Sequence, residues 1–129
     1  MEQEAMRERA AAVLSAWNSH DVDRVVACYT EDCVYRDPNT RGAVAGREAL
    51  RRYLMRLFQD WRMHWSLREF FAFGDGSGGA FLWDAELTPA AGGKTAEISG
   101  MDLVLLRGER LSRNEVYFDR MALFGDGSK

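Results

Sequence analysis

Apolar residues recur at helical spacing through the first half of the chain and alternate through the second, and the change falls near Trp61. Met6, Ala10, Val13, Leu14 and Trp17 share one face of an amphipathic helix over residues 2–19. Asp21 is then placed to cap a second, short helix, whose stripe of Val22, Val25, Val26 and Tyr29 ends near Thr30-Glu31-Asp32. Residues 33–37 read as a strand closed by Pro38, and residues 39–46 as a loop. A third helix opens at Gly46-Arg47-Glu48, with Leu50, Tyr53, Leu54, Leu57, Phe58 and Trp61 on its buried side. Arg47, Arg51, Arg52 and Arg56 fall on its polar side, with Glu48 four residues before Arg52, the pattern of a solvated and partly paired face.

Beyond Trp61 the spacing is that of strands. Trp65, Leu67, Phe71 and Phe73 are expected on one face of the first, and Phe81, Trp83, Ala85 and Leu87 on one face of the next, across the glycine-rich turn 74–79. Two long strands, 94–107 and 111–123, are joined by Gly108-Glu109-Arg110, so the sheet is expected to be antiparallel. Neither glycine-rich patch lies between a strand and a helix, which makes them turns and not phosphate loops. Helices followed by strands give an α+β class: three helices covering the concave face of a curved sheet, with a pocket between the layers.

A length of 129 residues fits one domain, and 17 basic against 20 acidic residues leave a charge of −3. That balance gives no bulk attraction for nucleic acid or an anionic membrane surface. Without a long apolar run, and with a charged amino-terminal stretch, the expectation is a cytoplasmic protein. Cys28 and Cys33 lack the spacing of a zinc site or a disulfide framework and are read as buried thiols. The two histidines and the acids show no metal-ligand spacing: His20 reads as a helix-end residue and His64 as structural or exposed.

Asp102 changes the picture. It lies inside Ile98-Ser99-Gly100-Met101-Asp102-Leu103-Val104-Leu105-Leu106, where alternation puts Ile98, Gly100, Asp102, Val104 and Leu106 on one face. A carboxylate entering a covered, apolar space is costly without a partner, so it is paired with an arginine, at a strand end near water, or functional. Met101, Leu103 and Leu105 point the other way and would leave an apolar row in water, which a two-fold homodimer would bury. Trp17, Tyr53, Trp83 and Phe118 are candidate pocket contacts, each also able to serve as core.

Four segments carry a family resemblance: Tyr29-Thr30-Glu31-Asp32-Cys33-Val34-Tyr35-Arg36-Asp37-Pro38, Gly46-Arg47-Glu48-Ala49-Leu50, Gly100-Met101-Asp102-Leu103-Val104-Leu105-Leu106 and Glu115-Val116-Tyr117-Phe118-Asp119. Over nearly the whole chain the sequence resembles the nuclear transport factor 2-like superfamily, nearest its SnoaL-like polyketide cyclases, ketosteroid isomerase and limonene-epoxide hydrolases. The resemblance implies one domain over residues 1–129, a cystatin-like α+β cone with three amino-terminal helices, a dimer, and a small hydrophobic ligand with no cofactor. It also implies three site residues. Asp37 resembles the proton-shuttling base of the isomerase, and Asp102 falls where that enzyme keeps a protonated aspartic acid. Asp119 resembles the catalytic aspartate of the cyclases and epoxide hydrolases, although Phe118 and Asp119 must face opposite sides of a regular strand. Ala11-Ala12-Val13-Leu14 lacks the isomerase's helix tyrosine, and Leu82-Trp83-Asp84-Ala85-Glu86 keeps an acid but not the hydrolases' arginine. The implied activity is acid–base proton transfer on a hydrophobic carbonyl compound. The alternatives are a binding module without chemistry, or an epoxide hydrolase using Asp119.

Overall fold

The structure, a computed structural model, describes residues 2–124. Helices α1 (Gln3–Ser19), α2 (Val22–Val26) and α3 (Arg47–Asp60) pack on a six-stranded sheet of β1 (Tyr29–Arg36), β2 (Val44–Ala45), β3 (Trp61–Ala72), β4 (Gly78–Pro89), β5 (Ala96–Arg107) and β6 (Arg110–Phe118). A short 3-10 helix, Arg120–Phe124, follows β6. The strand order is β2-β1-β6-β5-β4-β3, an open, curved sheet with the helices on its concave side. No helix among the described residues is long and apolar enough to cross a membrane.

The helical periodicity is realised closely. Met6, Ala10, Val13, Leu14 and Trp17 are buried along α1, and Leu50, Leu54 and Phe58 along α3. The Asp21 carboxylate accepts the backbone N–H groups of Asp23 and Arg24, the cap expected of it. At the end of α1, Asn18 exchanges two hydrogen bonds with the backbone of Trp65, and His20 Nε2 accepts the N–H of Met63. β3 is an edge strand, so these side chains occupy backbone groups that would otherwise be open to another chain.

Six expectations are corrected. The second helix stops at Val26, because Tyr29 and Thr30 are drawn into β1, where Tyr29 pairs with Leu111 of β6. That pairing is parallel, so the sheet is mixed: only strands joined by short turns are constrained to run antiparallel, and β1 reaches β6 through a long crossover. A bulge between Leu67 and Glu69 shifts the alternation of β3, turning Phe70 towards the core and leaving Phe71 exposed. Gly79 makes room for this, since a Cβ there would lie 2.6 Å from the Phe70 ring. The last strand ends at Phe118 and not near Leu123. Of the thiols, Cys33 is buried and Cys28 only partly so. Arg47, expected on a solvated face, instead clamps the Tyr29 carbonyl with Nε and Nη2 at 2.9 and 2.6 Å.

Candidate active site

Between the helices and the concave sheet lies a cavity of about 640 Å³, its open mouth included. All four residues expected at the pocket line it: Trp17 from α1, Tyr53 from α3, Trp83 from β4 and Phe118 from β6. Trp61 and Trp65 add further aromatic wall. The rings brace one another: Trp17 stacks on Tyr35 at 5.7 Å between centroids and meets Trp65 edge-on at 5.6 Å, and Trp83 meets Phe118 edge-on at 6.1 Å.

Asp102 points into this space from β5 and is 7% exposed. Its Oδ1 accepts the indole N–H of Trp83 at 2.7 Å and its Oδ2 the Nδ2 of Asn114 at 2.9 Å. Neither partner is an arginine, which removes the ion-pair reading of this residue. Burial pushes its pKa up to about 6; the bonds from Asn114 and Trp83 pull it down, and the charge of Asp37 adds a further upward push.

Asp37 follows the last residue of β1 and also lines the cavity. Pro38 holds the chain in a turn there, and Oδ1 of Asp37 accepts the backbone N–H groups of Asn39 at 2.7 Å and Thr40 at 3.1 Å. Its Oδ2 accepts the hydroxyl of Tyr35 at 2.6 Å and that of Tyr53. Burial, then the charge of Asp37, holds both phenols well above their ordinary pKa, so they remain proton donors.

Asp119 does not join them. It is exposed at the end of β6, where its carboxylate accepts the N–H of Met121 and starts the 3-10 helix. Strand parity decides this: Phe118 faces inward, Asp119 outward, and the β5–β6 irregularity lies at the far end, between Leu105 and Leu106. Asp84 is likewise on the outer face, bonded to Arg68 and Ser99. His64 is exposed opposite Glu86, and His20 caps α1. Among the described residues no group of three or more metal-ligating side chains converges.

The inward polar residues that sequence reasoning missed are Tyr35, Tyr29 and Asn114. Each had a signal. Tyr35 is two residues before Asp37 and so shares its strand face, and Asn114 is the polar member of the inward row it forms with Val116 and Phe118. Gly100 matters for a different reason: it pairs with Trp83 across the sheet, and a Cβ on it would lie 2.5 Å from the indole. Gly100→Ala is expected to cost about 1–3 kcal/mol through overpacking and to displace Trp83 from Asp102. Chemical denaturation and the fluorescence of the variant check both parts.

This arrangement accompanies a match of residues 10–114 to the family described as SnoaL-like domain. The chain belongs to the SnoaL-like family. No curated protein matches it. Among solved structures, the SnoaL-like chain is similar to a putative polyketide cyclase from Silicibacter sp. tm1040, at 17% identity and a TM-score of 0.85, covering 100% of this chain and 99% of that one. It is similar to SalBIII, an epoxide hydrolase/cyclase-like enzyme with a role in pyran ring formation in polyether salinomycin, at 22% identity and a TM-score of 0.82, covering 92% and 94%. It is also similar to an LEH-like epoxide hydrolase of M. tuberculosis, at 18% identity and a TM-score of 0.79, covering 96% and 90%. At these identities the likeness establishes a shared fold, the cone of the nuclear transport factor 2-like group.

Proposed function

We propose that this SnoaL-like domain is a cofactor-independent enzyme that moves a proton on a neutral, hydrophobic carbonyl compound. One observation carries the reading: two carboxyl groups in different environments face a single aromatic cavity whose lining contains no lysine, arginine or histidine among the described residues. Asp37 takes a proton from the carbon next to a carbonyl, and the electron pair moves to the carbonyl oxygen. Asp102, in its neutral form, donates a hydrogen bond to that developing enolate. Asp37 then returns the proton to carbon; or, in a dicarbonyl compound, the enolate carbon attacks the second carbonyl carbon, that C=O π bond opens as the ring closes, and Asp37 gives its proton to the resulting alkoxide. Tyr53 frees Oδ2 of Asp37 for this step by rotating its O–H towards the ligand. Two carboxyl groups and no cationic side chain in the described lining make the cavity hostile to anions. The test is deuterium exchange at the α carbon of bulky cyclic ketones, followed by NMR.

A second reading, a binding module, is favoured by the four hydrogen bonds that already occupy Asp37. It expects ligand binding with no exchange above buffer. Epoxide opening by Asp119 gains no support from an exposed carboxylate engaged in a cap.

The enzyme is further proposed to be a cytoplasmic homodimer. Met101, Leu103 and Leu105 lie on the outer face beside Leu82, and Tyr117 next to Met101 is half exposed. A second copy would remove this row from water. Leu103→Lys should then convert a dimer to a monomer in sedimentation; a wild type that is monomeric at micromolar concentration removes the proposal.

A further inference from the structure

Asn114 of β6 is 1% exposed, and each of its polar atoms is used. Nδ2 donates to Asp102 Oδ2 at 2.9 Å and to the Leu103 carbonyl at 3.4 Å, and Oδ1 accepts the hydroxyl of Tyr29 at 2.7 Å. That hydroxyl in turn accepts the indole N–H of Trp17 at 3.3 Å. An indole nitrogen can only donate, so the phenolic proton of Tyr29 is left for Asn114 Oδ1. With Oδ1 taken by the Tyr29 hydroxyl and Nδ2 set beside two acceptors, the amide has one orientation. The chain of bonds therefore runs one way, from Trp17 through Tyr29 and Asn114 to Asp102. From the opposite side Trp83, another pure donor, closes on Oδ1.

The consequence falls on the proton of Asp102. Both oxygens meet donors, and none of these partners offers an acceptor, so the neutral acid has only the cavity to donate to. We propose that Asn114 is a positioning residue for Asp102: oriented by Tyr29, its amide holds the carboxyl group so that its proton faces the ligand, and governs how readily that proton leaves. The inference rests on the reading of Asp102 as a cavity proton donor, but its test does not pass through activity. Of the titratable groups around Asp102, Asp37 faces it from the end of β1 and Tyr29 stands one link behind Asn114; Trp83 from β4 and Trp17 from α1 carry no charge.

The experiment is a carboxyl-carbon NMR titration of Asp102 in wild type, Asn114→Leu and Tyr29→Phe. Asn114→Leu removes a donor to the charged form, so the Asp102 midpoint should rise by about 1–2 pH units. Tyr29→Phe hydrogen-bonds Asp102 in neither form, yet it should move the midpoint the same way by less, because the released amide then turns Oδ1 towards the carboxyl for part of the time. If Asn114→Leu does not fold, Tyr29→Phe decides alone. A midpoint unchanged or lowered in Asn114→Leu overturns the role of Asn114, and one unmoved in Tyr29→Phe overturns its orientation by Tyr29. If the midpoints rise while deuterium exchange does not depend on Asp102, the positioning role stands and the proton-transfer reading fails. If exchange depends on Asp102 while the midpoints stay fixed, the failure is that of the positioning role.

Discussion

Asp37→Asn is expected to lower α-proton exchange of a bulky cyclic ketone by about 10²–10⁴-fold, the contribution of a general base. The amide keeps the size of the side chain but has one oxygen, which serves either the Tyr35 and Tyr53 hydroxyls now on Oδ2 or the Asn39 and Thr40 N–H groups now on Oδ1. What it cannot do is take a proton from carbon. Asp102→Asn should cost less than the roughly 10²–10³-fold of deleting an oxyanion donor, since its NH₂ group can still point at the enolate. The replacement is not neutral for the fold, however. Trp83 and Asn114 both donate to position 102, and an amide offers only one oxygen to the two of them.

The second large effect is on stability, and its sign follows from burial. The folded-state pKa of Asp102 is raised from the ordinary 3.8 to about 6, so between those values the folded chain holds a proton that the unfolded chain has released. Its contribution to stability is therefore fully present below about pH 4, falls as pH rises, and is lost above about pH 6, a change on the order of 3 kcal/mol. Asp32, Asp84 and Glu115, lowered by their hydrogen bonds, act in the opposite direction. Comparison with Asp102→Asn cancels them, because both proteins carry them. Urea denaturation from pH 4 to 7 should show wild type losing stability relative to the variant as pH rises. Parallel curves would mean that Asp102 ionises in the fold as it does in the unfolded chain.

Much of this was legible in the chain because burial imposes a period. The stripes of α1 and α3 and the inward row Ile98, Asp102, Val104 could be read directly, and with them the cavity wall of Trp17, Tyr53, Trp83 and Phe118. Periodicity fails where tertiary pairing overrides it. Tyr29 completes a helical stripe in sequence, yet it is claimed by β6 and by a hydrogen bond to Asn114, 85 residues away. The bulge near Arg68 inverts the faces of Phe70 and Phe71, and a single extra residue in a strand leaves no mark in composition. At the site, Asp37 and Asp102 were visible as a proline-flanked acid and an acid in an apolar run. Their hydrogen-bond pairing was not, because Tyr53 reaches Asp37 from another element and Asn114 meets Asp102 through the β5–β6 register, which composition does not set. Asp119 shows the limit of resemblance: strand parity and the cap at Met121 put it outside.

The most direct test of the central claim is the pH dependence of α-proton exchange by the wild-type protein. An apolar ligand filling the cavity removes water from Asp102 and raises its pKa beyond the ligand-free value of about 6. Exchange should therefore run above the buffer rate through neutral pH, decline on the alkaline side as Asp102 loses its proton, lose that alkaline limb in Asp102→Asn, and nearly vanish in Asp37→Asn. Equal exchange by wild type and both variants, at the buffer rate across the whole range, would contradict the account and leave the cavity a binding site without chemistry.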